Sequence, residues 1–430
     1  MRGSAVRIVS EIGQFKLKML AWAQQFREVL FLDSNDYPQL YGDFDAVLAV
    51  DAFTSIVTDT DGAFEKLREY RTTTADWIFG YLSYDLKNDT EDLSSANFDG
   101  LKFPELFFFQ PKKLFLLKGD GLQQLYLPFC ADETESDFRE IEALMVPDLE
   151  FSKIETNPRI SRGNYLEKVT EMQRRIMLGD IYEANFCMEF FAEHAVIDPF
   201  SAYLKLNAIS TPPFAALLKR HRQYAICASP ERFLKKTGTK IISQPIKGTA
   251  RRSPDPAEDA HIKNALTQNE KERAENIMIV DLVRNDLSRT ASDGSVEVEE
   301  LCGAYTFRQV HHLVSTVVSE SSAVPEDIIK NAFPMGSMTG APKISAMQII
   351  EKLEETRRGL YSGAIGYYTP EGDFDFNVVI RSILYDAESR YLSFSVGSAI
   401  TAMADPAAEY DECLLKAKAM RAVLSQTGKE

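Results

Sequence analysis

The sequence predicts an α+β fold, with mostly antiparallel sheets and helices packed on their outer faces. Short β-branched and aromatic runs recur along the chain between polar turns, as consecutive antiparallel strands do. Helical patterns are fewer and long, and two of them bracket the last third of the chain.

The elements follow in order. In the first 150 residues, "AVLAV", "DWIFGYLSYDL", "KLFLLKG" and "LQQLYLPF" read as strands of a twisted antiparallel sheet. "AFEKLREYRTT" reads as a helix, and "CADETESDFREIEAL" leads into a charged one. "MVPDLEFSKIETNPRISRG" is an irregular connector, which sets a boundary near residue 150 between an N-terminal α+β region, 1–150, and a second region, 151–430. "NYLEKVTEMQRRIMLGD" opens the second region as a helix with Gly179 as its stop. Strands follow at "FCMEFFAEHAV", "FAALLK", "QYAICAS", "RFLKKT" and "TKIIS". A single long helix is expected from about Asp259 to Leu287 and another from Pro406 to about Leu424. Between them "GAIGYYT", "NVVIRSILY" and "YLSFSVGSAI" form a strand-rich block.

With 430 residues and 45% hydrophobic composition, the chain buries one large core or two moderate ones. A net charge of -16 argues against a general nucleic-acid binder but not against small anionic substrates, because a metal ion or local cations reverse the field inside a cleft. The five cysteines are scattered, with no C-x-x-C pair, as expected of reduced thiols. No secretory leader and no apolar run of about 18 residues is apparent, so the expectation is a soluble cytoplasmic protein with no membrane partner.

Two helices place carboxylates on apolar stripes. Glu272 and Glu275 share a face with Ile279, Leu282 and Val283. Asp405 is a good N-cap and Pro406 a good first-turn residue for the last helix, where Glu409, Glu412 and Lys416 line a face continued by Met420 and Val423. Acidic pairs on helices are usually solvated, but inward-facing carboxylates need a partner. A hard divalent cation is one such partner, and magnesium takes oxygen ligands from one or two carboxylates while keeping waters for a substrate to replace.

"SPERF", "PIKGTARR", "ENIMIVDLVRNDLSR", "HHLVST", "GSMTGAPKISAMQIIEKLEETRRGLYSGAIGYY", "NVVIRS" and "AEYDECLLKA" together resemble the chorismate-utilising enzymes over roughly residues 155 to 425. The resemblance implies a sandwich of antiparallel sheets with a central cleft. It implies Mg²⁺ held by Glu275 and Glu412, with Glu272 and Glu409 in support, gripping a carboxylate of chorismate. It further implies that Arg381, read here as a strand residue, fixes a substrate carboxylate. Tyr361, Thr339, His312 and Lys416 match residues of the family's substrate site. Glu231 matches the general acid, whose pKa should be raised.

"SQPIKGTARR" sets one cation, Lys247, in a tight and partly apolar turn between Pro245 and Gly248. Within the family, anthranilate synthases resemble "PIAGT" and aminodeoxychorismate synthases resemble "PIKGT". The lysine implies amination of chorismate to 4-amino-4-deoxychorismate on the route to folate: the amine adds at C2 and expels the 4-hydroxyl, then ammonia adds at C4 and expels the lysine. An anthranilate synthase, an isochorismate or salicylate synthase, or a non-catalytic subunit are the alternatives. Such a lysine must be neutral to attack, so burial is expected to lower its pKa.

Two departures stand out. "VGSAIT" keeps Gly397 but follows it with Ser398 and Ala399 where the family often has glycines, and Gly397 and Ala399 are expected at the substrate. "GDIYEANF" has Glu183 where amine-forming relatives usually have glutamine. No cysteine sits in a glycine-flanked nucleophile turn, so ammonia is expected from a separate glutaminase subunit or from solution.

Overall fold

A computed structural model describes residues 2–425. Its twenty strands and eleven α-helices build two antiparallel sheets that share one bent strand. The first sheet runs from the edge strand Gly3–Ile8 through Gly121–Tyr126, Leu106–Lys118, Ala46–Thr58, Glu28–Asp33, Phe214–Arg220, Gln223–Ser229, Ser382–Asp386 and Tyr391–Ile400 to Glu183–Ala192. The second leaves the same Leu106–Lys118 strand through Ile78–Leu82 and continues by Ala364–Tyr368, Phe374–Asn377, Arg232–Thr237 and Lys240–Gln244 to Val310–Glu320. The switch occurs where Pro111, with no N–H to donate, meets a register shift between Ala52 and Thr54.

Side-chain alternation divides each strand of the first sheet between two cores. Val29, Phe31, Leu48, Leu217 and Ile226 point to the helices Ile12–Ala23, Arg162–Met177, Pro199–Ser210 and Pro406–Leu424. Leu30, Val47, Ala49, Leu218 and Ala225 join the core of the second sheet and its helices Ala63–Thr74, Glu270–Ser288 and Pro325–Ala332. The α+β expectation, antiparallel sheets with helices outside, therefore describes the fold. Residues 144–156 form the irregular connector, yet strand pairs cross it: Glu28–Asp33 pairs with Phe214–Arg220, and Ile78–Leu82 with Ala364–Tyr368.

The helix expected over 259–287 is two helices, Pro256–Gln268 and Glu270–Ser288. Asn269 between them is extended, and its side chain accepts from the Glu272 N–H, which caps the second helix and ends the first. The last helix starts as expected, with the Asp405 side chain accepting from the Ala408 N–H.

Candidate active site

The far edges of the two sheets meet at one ion pair. Lys247 stands on Ile246–Arg251, a strand that continues the line of Lys240–Gln244 along Val310–Glu320 after the break at Pro245. Its Nζ donates to Glu183 Oε1 at 2.8 Å, across to the last strand of the first sheet. The helices Glu270–Ser288 and Pro406–Leu424 flank this junction, with Lys271 Nζ 3.9 Å from both Glu275 Oε1 and Glu409 Oε1.

Lys247 thus lies on a bulged strand, not in a turn. Register shifts between Ile246 and Thr249, and Gly248 takes φ +97, a conformation that favours glycine. Burial pushes the Lys247 ammonium toward the neutral form, but Glu183, Glu275 and Glu412 outweigh it and hold the pKa above its ordinary value. The expectation of a lowered pKa is corrected: three carboxylates act on this amine and favour its charged form.

Glu231 has the raised pKa expected of it. It is buried at 4% exposure just past the strand Gln223–Ser229, and burial pushes its carboxyl up to about 7 against the Ser337 hydroxyl, which donates to Oε1 at 2.7 Å. It is therefore substantially protonated at neutral pH and faces the charges of Lys247 and Lys416.

His312, on Val310–Glu320, is buried, and burial followed by the charge of Arg381 pushes its pKa down to about 3. Its Nδ1 lies 3.3 Å from the Gly248 carbonyl and 2.9 Å from Thr249 Oγ1. A carbonyl only accepts, so Nδ1 carries the proton and Nε2 offers a lone pair.

Arg381 is not on a strand. The strand begins at Ser382, and Arg381 takes φ +53 in the turn before it. Burial lowers its pKa, and its guanidinium has no hydrogen bond or ion pair among the described residues, although Glu412 and Tyr361 are near in charge. A sequestered guanidinium without a partner suits a carboxylate ligand. Tyr361 is buried, 3.9 Å through its hydroxyl from Cys187 Sγ. Lys416 Nζ donates to the Gly397 carbonyl at 2.9 Å and pairs with Glu412 at 2.7 Å.

On the paired strands Glu183–Ala192 and Tyr391–Ile400, alternation puts Glu183, Asn185 and Cys187 on the face of Gly397 and Ala399, which stand opposite Cys187 and Asn185. A Cβ on Gly397 would meet Cys187 Sγ at 2.6 Å, so glycine is needed there for close approach. Ser398 points the other way, to the Tyr165 hydroxyl at 2.9 Å, and its hydroxyl also reaches the Glu409 carboxylate. Thr339 turns its hydroxyl into its own loop, toward the Met335 and Gly336 carbonyls at 3.3 Å each.

The acidic residues expected to hold a cation come together in part. Glu275 is pushed up to about 7, first by burial and then by Glu183 and Glu272. Burial raises Glu409 too, with Glu412 adding to it, while Lys416, Lys247 and Lys271 overcome burial at Glu412 and hold it low. Among the described residues no three histidine, cysteine or acidic side chains form a ready cation cage. The set still fits a hard cation: oxygen donors only, facing across two helices, with the Lys271 ammonium already between two of them.

Sequence reasoning missed four groups. Asn276, buried beside Glu275, donates from Nδ2 to the carbonyls of Lys247 at 3.1 Å and Leu313 at 3.2 Å, while its Oδ1 accepts from Ser315 Oγ at 2.5 Å. A polar residue on the apolar stripe was its signal. Ser337 orients Glu231. Arg358 and Glu354 form a buried pair, and Arg358 also donates to the Met338 and Asn185 carbonyls, tying the Thr339 loop to the Glu183 strand. Their i,i+4 spacing in "EETRR" was visible.

Residues 29–422 match the chorismate binding enzyme family. An anthranilate synthase component I-like protein of Synechocystis is 34% identical over 81% of this chain and 72% of its own length. Aminodeoxychorismate synthase component 1 of Bacillus subtilis is 32% identical over 82% of this chain and 77% of its own. The aminodeoxychorismate synthase of Streptomyces griseus is 43% identical over 60% of this chain, and the match spans 36% of that longer relative. The crystal structure of anthranilate synthase component I from Streptococcus pneumoniae superposes with a TM-score of 0.76 at 24% identity, covering 90% of this chain and 94% of that one, and so shares the fold. The chain belongs to the chorismate binding enzyme family.

Proposed function

We propose that this enzyme aminates chorismate to 4-amino-4-deoxychorismate, the precursor of para-aminobenzoate in folate biosynthesis. The observation that carries the reading is Lys247: an amine enclosed at the sheet junction, opposite Glu231, whose buried carboxyl is pushed up to about 7, and a guanidinium, Arg381, that lacks a partner among the described residues. Relatives named aminodeoxychorismate synthase support it.

Arg381 binds a carboxylate of chorismate, with Lys416 and the neutral His312 lining the same cleft. The Lys247 amine adds to C2, and Glu231 gives its proton to the departing 4-hydroxyl. Ammonia then adds at C4 and frees the lysine. Magnesium, held by Glu275 and Glu412 with Glu272 and Glu409 in support, would anchor a substrate carboxylate and offset the charges that keep Lys247 protonated. The ammonia comes from a separate glutaminase subunit, as the name "component 1" of the Bacillus subtilis relative suggests. All five cysteines are free and buried, which fits a reducing cytoplasmic setting, and among the described residues no helix is long and apolar enough to cross a membrane.

The test is incubation of the purified chain with chorismate, Mg²⁺ and ammonium, beside a chelator control. The expected product keeps its pyruvyl group, is lost on chelation and is converted to para-aminobenzoate by an aminodeoxychorismate lyase. Anthranilate, isochorismate or salicylate as the product overturns the assignment.

A further inference from the structure

Among the described residues, Glu183 is the only carboxylate within ion-pairing distance of Lys247 Nζ. Glu275 and Glu412 act on that amine at longer range, from the helices on either side, and Glu231 faces it across the cleft. Glu183 is 2% exposed. Its Oε1 accepts from Nζ at 2.8 Å, and its Oε2 is buried with no hydrogen-bond partner.

The backbone fixes this carboxylate in place. Glu183 pairs with Ala341 on the two-residue strand Gly340–Ala341, and the Tyr182 N–H donates to the Ala341 carbonyl at 2.7 Å. Gly340 lets the two segments touch, since a Cβ there would meet the Glu183 carbonyl at 2.2 Å. A rigid, water-excluded acceptor on the reacting nitrogen is what a proton transfer needs.

We propose that Glu183 is the base that takes the proton from Lys247 as the amine attacks. This rests on the reading of Lys247 as nucleophile. One N–H proton passes to the Glu183 carboxylate, and the freed electron pair on Nζ forms the bond to C2. The two ring double bonds shift, the C4–O bond breaks, and the hydroxyl leaves as water with the proton of Glu231. When ammonia bonds to C4, the C2–Nζ bond breaks and Nζ departs as a neutral amine. It recovers the proton stored on Glu183, while the new C4 ammonium returns its surplus proton to Glu231. A glutamine at position 183, the residue that amine-forming relatives usually have, would hydrogen-bond to the amine but accept no proton, so the role assigned to Glu183 is particular to this chain and a glutamine-bearing site must deprotonate its lysine by another group.

The test uses the full chain with Mg²⁺ and chorismate, without ammonia, and follows by rapid quench and mass spectrometry the adduct on the Lys247 peptide, a gain of chorismate less one water. Wild type, Glu183→Gln, Glu183→Asp and Lys247→Ala are compared, with thermal melts to establish folding. Glu183→Gln is expected to form the adduct about 100-fold more slowly or worse, at unchanged chorismate affinity, with part of the rate restored in Glu183→Asp. A Glu183→Gln rate equal to or above wild type overturns the inference and leaves Lys247 as nucleophile, because a mere counter-ion, once removed, eases deprotonation of the lysine. If Glu183→Gln does not fold, the aspartate variant decides: a slowed but measurable rate supports the proposal, and a wild-type rate overturns it. No adduct in wild type, with Lys247→Ala still turning over, overturns the nucleophile reading and this inference together.

Discussion

Asn276 Nδ2 donates to the carbonyl of Lys247 at 3.1 Å, so the helix that carries Glu272 and Glu275 holds the backbone of the lysine it faces. The same amide group spans to Leu313 and receives the Ser315 hydroxyl. The amide thus ties the Lys247 backbone to the acidic helix.

Replacing Asn276 with leucine takes the acceptor from the Ser315 hydroxyl proton and the amide donor from the Lys247 and Leu313 carbonyls. The expected cost is about 1–3 kcal/mol, measured by urea unfolding. Turnover should fall more than stability explains, with the loss in kcat, because the bulge that aims Lys247 is released. Stability lost with kcat unchanged would show that the amide only braces the fold.

Gly248→Ala forces a Cβ against Leu313 and Glu272 at 3.1 and 3.2 Å, at φ +97. The expected destabilisation is about 1 kcal/mol or more. Adduct formation at Lys247 should slow as well. A fully active alanine variant would mean that the bulge does not set the direction of the lysine.

The buried carboxyl of Glu231 sits at about 7, above its ordinary 4.5. Between those values the folded state holds a proton that the unfolded chain has lost, so stability falls as pH rises through this window. Glu231→Gln should remove that fall and stabilise the fold at pH 8 by up to about 3 kcal/mol. Turnover should drop about 100-fold or more, and the wild-type rate should decline above neutral pH as the acid ionises. Thermal melts across pH check the first point, and a pH–rate profile the second. An unchanged alkaline limb in Glu231→Gln would place the acid elsewhere.

Arg381→Lys keeps the charge but loses the planar fork. The KM for chorismate should rise about 10- to 100-fold with a smaller change in kcat. Stability should hold or improve, because the guanidinium has no ion pair to lose among the described residues. A KM equal to wild type would remove Arg381 from the substrate site.

Glu275→Gln should weaken Mg²⁺ binding about 10- to 100-fold by calorimetry, and Glu272→Gln less. Equal affinity in wild type and Glu275→Gln would exclude the Glu270–Ser288 helix as the main source of ligands.

The sequence by itself determined the class of fold and the family, and it named the candidate site residues. Strand alternation, the Asp405 cap and the acidic stripes are local patterns, and local patterns survive in one dimension. The motif around Lys247 was legible because a lone lysine between Pro245 and Gly248 stands out in one dimension. Only the tertiary structure decided how these groups act on one another. Asn269 split a helix that periodicity runs together, because its capping bond competes with the helical backbone. The left-handed turn at Arg381 ended a strand that alternation would extend. The charge state of Lys247 reversed the simple expectation from burial, because Glu183, Glu275 and Glu412 reach it from three segments far apart in the chain. Electrostatic coupling depends on distance in space, and the distances here are set where the two sheets close on each other.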